Sequence, residues 1–233
     1  MSTSREESFH GSRPIFSDPE AIVHLLLEWH RTHSRSFSFR KATDPYGVLV
    51  AEIMLRQTTA RQVDRVWPMF MKRFPTPKSL AEADISEVER IITPLGIRSR
   101  AQHLKRMAQM IVSQWRGNVP ADLAELTKLP GVGEYIAGCV LSFCYGMRLP
   151  LIDSNVMRVL SRVLGIKPSK HSQRHVQQVL RQAYMELASR AEPRQLHYAL
   201  LDLAATLCRP NRTLCHECPL HRICAYASSL TGE

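Results

Sequence analysis

Four cysteines fall within seventeen residues, in CRPNRTLCHECPLHRIC (208–224), with the spacing C-x6-C-x2-C-x5-C. No other feature limits the fold as much, because thiols this dense must be paired by oxidation or held by a metal group. Residues 1–20 are polar, carry Arg5, Glu6, Glu7, Arg13 and Asp18, and lack the apolar core of a signal peptide. No apolar run reaches the roughly 18 residues that a membrane span needs. A cytoplasmic, reducing setting is therefore expected, and it disfavours disulfides. Structural zinc is usually held by two CxxC knuckles. Here only Cys215 and Cys218 form one. Thiolates suit zinc and iron–sulfur groups alike, so the spacing leaves both open. Cys139 and Cys144 sit on an apolar stretch and read as core residues, while His216 and His221 read as solvated or phosphate-facing.

The rest of the chain reads as helices. Apolar residues recur at helical spacing, no segment alternates for long enough to make a strand, and the prolines and glycines fall mainly where helices would begin or end. Ser17 is placed to cap a first helix, with Pro19 in its first turn and Glu20 completing a capping box. HRTHSRSFSFRKATDPYG reads as a connection. A long helical stretch begins near Pro45 and should break at the polar QTT of residues 57–59. Asp153 or Ser154 can cap a helix that Gly165 ends, and two more helices are expected over 172–191 and 193–207.

The formal charge is +10, from 31 basic and 21 acidic residues. The excess is spread along helices and not gathered in a tail, so it suggests a basic face for a phosphate-rich partner. LTKLPGVGEYIAG (126–138) lacks both the Walker ending and the strand that a dinucleotide fingerprint requires. Pro130 ends one helix, Gly131, Val132 and Gly133 form a tight turn, and a second helix begins near Glu134. The exposed amides at its start can hold a phosphate, which makes this a helix–hairpin–helix suited to gripping a DNA backbone.

Two carboxylates have unusual contexts. Glu52 lies in VLVAEIMLRQTT, with apolar neighbours on both sides. It is either a solvated helix acid or a partly buried one whose pKa burial would raise. Asp153, in PLIDSNV, is either a helix N-cap or a reactive group. Together they would suit glycosidic bond cleavage, with one acid aiding the leaving group and the other supporting an oxocarbenium-like sugar.

In order along the chain, LPGVGEY, the aspartate of IDSNVMRVLSR and the cysteine loop resemble the helix–hairpin–helix DNA glycosylase superfamily, over about residues 18–226. The resemblance implies an all-α fold of two domains with a DNA-binding cleft between them. A six-helix barrel containing the hairpin would span 44–148. A discontinuous iron–sulfur cluster domain would join 17–43 to 149–226, and 1–16 would be a flexible leader. Cys208, Cys215, Cys218 and Cys224 would then ligate a [4Fe–4S] cluster. Asp153 falls at the family's catalytic aspartate, Glu52 at its glutamate, and Tyr135 at the border of the base pocket. Bifunctional members similar to endonuclease III carry a Schiff-base lysine two residues after the second hairpin glycine. Here that position is Tyr135, so hydrolysis by water that leaves an abasic site is expected.

Residues 52–60, EIMLRQTTA, are similar to the E-I-L-L-R-R-T-T-A of archaeal thymine/uracil mismatch glycosylases, although Gln57 matches the E-x-M-L-Q-Q-T-Q of the MutY-type adenine enzymes. Ile97 stands where adenine enzymes carry a wedge tyrosine, and DPYGVLVAE also resembles the thymine group, whereas LSFCYG and NVMRVLSR are closer to adenine-type sequences. With nine residues after Cys224, the 8-oxoguanine-reading domain of adenine glycosylases is not expected. The resemblance thus implies release of thymine or uracil mispaired with guanine, with Arg56, Gln57 and Ile97 at the base pocket and DNA wedge. An adenine glycosylase and a non-catalytic DNA-binding protein are the alternatives. The expected partner is double-stranded DNA carrying a mismatched or damaged base, bound by a cytoplasmic, nucleoid-associated monomer.

Overall fold

The computed structural model describes residues 14–96, 99–167 and 173–231. Twelve α-helices run through them: α1 (Pro19–His33), α2 (Pro45–Leu55), α3 (Ala60–Arg73), α4 (Pro77–Ala81), α5 (Ile85–Ile92), α6 (Ser99–Trp115), α7 (Leu123–Thr127), α8 (Glu134–Tyr145), α9 (Ser154–Val163), α10 (Gln173–Ala188), α11 (Pro193–Thr206) and α12 (Ala225–Thr231). Among the described residues the only β-type pairing is the bridge between Cys208 and Thr213, so the all-α expectation holds.

α2 is the central element, and every residue from Tyr46 to Met54 is buried. A helix that is apolar on all sides must be covered on all sides. Here α3, α6 and α8 do so, together with the 3-10 turn Ser38–Lys41. Glu52 rides on this helix and is carried into the interior with it. The segment read as a connection contains that 3-10 turn, and Phe37 and Phe39 sit in the core. The expected break after α2 is present. Gln57 takes φ +53°, a left-handed conformation rare outside glycine. Thr59 then starts α3 with a capping box to Gln62.

The N-terminal and C-terminal segments meet. α1 packs on α10 and α11, and α9 packs on α10, α11 and α12. The cap of α1 is Asp18, which accepts from the Ala21 amide, and not Ser17 as expected. A carboxylate is the stronger acceptor at a helix N-terminus. Ile15 donates its amide to Glu186 and Phe16 is buried, so the chain is already packed there. Residues 1–13 lie outside the described residues.

Candidate active site

The hairpin has the expected form. α7 ends at Thr127, Gly131 turns the chain at φ +82°, and Gly133 is the N-cap of α8 without any side-chain cap. A Cβ at Gly131 would touch the His103 side chain at 3.4 Å, whereas one at Gly133 would meet nothing within 4 Å. Gly131 is thus required by backbone conformation. Gly133 leaves the first amides of α8 open to solvent, which is the geometry an incoming phosphate needs. Val132 is buried and anchors the turn. Arg56 reaches across to donate to the Gly131 carbonyl at 3.3 Å, and Arg100 donates to the Arg56 carbonyl. The strained Gln57 loop is therefore tied to the hairpin, and the Gln57 side chain is exposed at its tip.

A cleft of about 470 Å3 opens beside this loop, and its walls include Glu52, Arg56, Gln57, Tyr135, Asp153 and Tyr198. Residues from α2, α8, α9 and α11 thus meet at one place. The lining residues include no lysine. A larger, more open groove of about 880 Å3 lies along α1, between Glu20 and Arg31, and contains none of the candidate catalytic, DNA-contacting or metal-ligating residues.

Glu52 is 8% exposed, which settles its two readings in favour of burial. Burial pushes its carboxyl up to about 7, the Asp153 charge adds to the rise, and Arg40 opposes it. Near neutral pH the protonated, neutral form of this group is therefore accessible. Asp153 has the N-cap geometry of one of its readings and also lies where the other would need it. It caps α9, with Oδ1 accepting from the amides of Asn155 (3.0 Å) and Val156 (2.7 Å), and it also lines the cleft. Its Oδ2 accepts from Asn155 Nδ2 at 2.8 Å. Three donors fix the carboxylate's orientation, so the cap doubles as a positioned negative charge. Tyr135 sits one residue inside α8, with its hydroxyl 3.0 Å from His197 Nε2.

No motif or periodicity announces the wall built around Asp202. This fully buried carboxylate accepts from Arg35 Nε at 2.6 Å, from Arg40 through both terminal nitrogens at 2.8 Å, and from the Arg35 amide at 3.0 Å. His30 Nε2 lies 3.0 Å away. Burial alone would raise its pKa, but the bonds from His30 and Arg40 prevail and hold it far below the usual carboxylate range. Arg40 in turn lies 4.4 Å over the Tyr198 ring. Asp202 sits in LLDLAA, an acid among apolar residues. That is the same signal that marked Glu52.

Ile97 lies outside the described residues. The four thiols of the loop are brought together: Cys208, Cys215, Cys218 and Cys224 line one small pocket with Leu207, Tyr226 and Ala227. Burial raises the Cys218 and Cys224 thiols, and the neighbouring thiols raise them further. Arg162 donates to Cys208 Sγ at 3.3 Å and to the carbonyls of Arg209 and Pro210. His221, expected to be solvated, instead borders this pocket and its Nδ1 is buried without a partner. Among the described residues no three His, Cys, Asp or Glu side chains are gathered tightly enough to grip a single metal ion.

A cleft with two acids thus lies beside an uncapped helix–hairpin–helix in an all-α fold. The model of the HhH-GPD superfamily of base excision DNA repair proteins matches residues 50–184, and the chain belongs to that superfamily. It is 41% identical over 212 residues to a thymine-DNA glycosylase of Aeropyrum pernix, covering 89% of this chain and 94% of that protein. It is 36% identical over 206 residues to a thymine/uracil-DNA glycosylase of Pyrobaculum aerophilum, covering 86% and 89%. Among solved structures, a thermostable thymine-DNA glycosylase superposes with a TM-score of 0.81 at 26% identity, covering 91% of this chain and 97% of that one. The chain is thus a DNA N-glycosylase by family.

Proposed function

We propose that the chain hydrolyses the N-glycosidic bond of thymine or uracil mispaired with guanine, without cutting the strand. The observation that carries this reading is the cleft itself, where a Glu52 whose carboxyl burial raises and an oriented Asp153 face one space that no lysine borders among the described residues. The relatives named above support the choice of pyrimidine. The target base must leave the helix stack before water can reach its sugar, and a mismatched pair costs less to open. The open amides after Gly133 hold the DNA backbone, and Gln57 fills the gap that the base vacates, as a side chain held at the tip of a tied loop can do. Gln57 offers both a donor and an acceptor to the unpaired guanine.

Asp153 places negative charge where the deoxyribose becomes positive as the bond lengthens. A departing pyrimidine carries negative charge on its oxygens. An ionised Glu52 would repel it, whereas the neutral acid that burial favours can donate a hydrogen. Tyr135 walls the pocket with its ring. With no amine at hand, water attacks C1′ and an abasic site remains.

The cysteine pocket fits a [4Fe–4S] cluster in donor chemistry, with four thiols, an apolar wall and Arg162 beside one sulfur. The resemblance of the cysteine spacing to the iron–sulfur loop of this superfamily is what favours the cluster over a single zinc. Cys208, Cys215, Cys218 and Cys224 would hold it, and with its coordination filled by thiolates it would brace the loop structurally. We read the chain as a barrel unit over 44–148 and a second unit formed by 17–43 with 149–226, acting as a monomer on duplex DNA in the cytoplasm, near the nucleoid.

The test is Asp153→Asn. It keeps a cap acceptor, so DNA binding should persist while base release falls at least about 100-fold, equivalent to about 2.7 kcal/mol. Wild-type product should be cut only after alkali or heat, and borohydride should trap no enzyme on DNA. Equal loss of binding and base release would return Asp153 to a purely structural role.

A further inference from the structure

Tyr135 stands at a junction. It lines the acid-bearing cleft on one side and a second, smaller pocket, with Leu149, Pro150 and Ile152, on the other. It lies one residue into a helix whose N-cap is an exposed glycine. Its hydroxyl has two protein neighbours: His197 at 3.0 Å, from α11, and the buried Cys139 thiol one turn along α8. His197 itself is 1% exposed and packed among the rings of Tyr135, Phe143, Tyr184 and Tyr198, with centroids 5.7 to 6.4 Å away. Those rings leave the imidazole little freedom to turn.

A buried histidine among aromatic rings is usually a packing residue. Two observations favour a more specific role. Its Nδ1 is buried without a partner, a cost that an apolar residue of similar shape would avoid. The other nitrogen is spent on Tyr135, one of the two phenols that wall the cleft. A buried unpaired N–H is rarer than a buried unpaired acceptor, so the proton belongs on Nε2. His197 then donates to the Tyr135 oxygen, and the Tyr135 hydrogen is left to turn toward Cys139.

We propose that His197 is a positioning residue for base release, holding the Tyr135 hydroxyl from inside the core and so fixing the ring that walls the base pocket. The inference rests on reading the cleft as a glycosylase pocket. The groups facing the imidazole are Asp153 from α9, Arg40 from the 3-10 turn, and the phenols of Tyr135, Tyr184 and Tyr198. Burial pushes His197 down to about 4, with Arg40 acting the same way and Asp153 opposing. The ring is therefore neutral at pH 7. It directs the phenol without adding positive charge beside the sugar where positive charge must build.

A double-mutant cycle tests this. Single-turnover base release is measured on a uracil:guanine duplex for His197→Leu, Tyr135→Phe and the double variant. Each single variant should slow release about tenfold, equivalent to about 1.4 kcal/mol. The double variant should be slower by about the same tenfold, because both changes remove one interaction. His197→Gln, whose amide can reach the hydroxyl, should recover most of the rate, and binding to a duplex carrying a stable abasic analogue should stay within about twofold. Where His197→Leu does not fold, His197→Asn replaces it in the cycle. If the wild type releases adenine and not pyrimidines, the substrate reading falls and the same cycle is run on an adenine duplex with the same expectation. Multiplying losses, near 100-fold in the double variant, would overturn the proposal. So would variants that lose only thermal stability while their base release is unchanged.

Discussion

Replacing Glu52 by glutamine should make the protein more stable, and increasingly so as pH rises. In the folded chain burial holds this carboxyl near 7, against 4.5 as its ordinary value. Between those two values the folded state binds a proton that the unfolded state has released. Stability from this group is therefore fully present below about 4.5 and is lost as pH rises through 7. At about 1.4 kcal/mol per pH unit, the wild type gives up about 1 kcal/mol by pH 5 and about 3 kcal/mol by pH 8. The Glu52→Gln variant has no carboxyl to ionise at this position and loses nothing, so its advantage over wild type should widen by about 2 kcal/mol over that range. The assay is urea unfolding of both proteins at half-unit steps from pH 5 to pH 8. Base release should move the other way. The wild-type rate should fall as pH rises through 7, and the variant should be slow and insensitive to pH there. A pH-independent stability gap would refute the claim that Glu52 is protonated by burial.

Asp202→Asn should cost about 3 kcal/mol or more at pH 7, because it leaves the guanidiniums of Arg35 and Arg40 without their counter-charge; urea unfolding measures this, and a loss below about 1 kcal/mol would contradict it. The wild-type contribution of Asp202 should persist above about 4 and fade only in stronger acid, since its folded carboxyl sits below the ordinary range. Elemental analysis of the purified protein should find about four irons with labile sulfide and no stoichiometric zinc, and Cys208→Ser should lower folded yield before it alters base release.

Much of the site was legible because it rests on local signals. Four close thiols, two glycines between helices, and an acid among apolar neighbours each have a small set of physical explanations. Asp153 was harder, since a helix cap and a reactive carboxylate look alike in sequence, and here the side chain that caps α9 also lines the cleft. The Arg35–Arg40–Asp202 wall was missed because Arg35 and Arg40 lie 167 and 162 residues from Asp202 in the chain. No periodicity joins them, and RSFSFR resembles an ordinary polar connection until Phe37 and Phe39 are seen in the core. His197 was hidden in the same way, as one polar residue in an otherwise apolar helix face. Its meaning comes from Tyr135, 62 residues away. The Ser17 cap failed for a local reason, because Asp18 stood next to it and binds the free amides more strongly.

Substrate choice tests the account most directly. Single-turnover base release should be measured, with enzyme in excess, on matched duplexes carrying G:T, G:U, G:A and 8-oxoguanine:A pairs, since slow release of abasic product would otherwise mask the chemical step. Thymine and uracil opposite guanine should leave about 100-fold faster than adenine from either pair, a difference of about 2.7 kcal/mol in transition-state stabilisation. Adenine leaving faster by a comparable factor would contradict the account and assign the cleft to a purine.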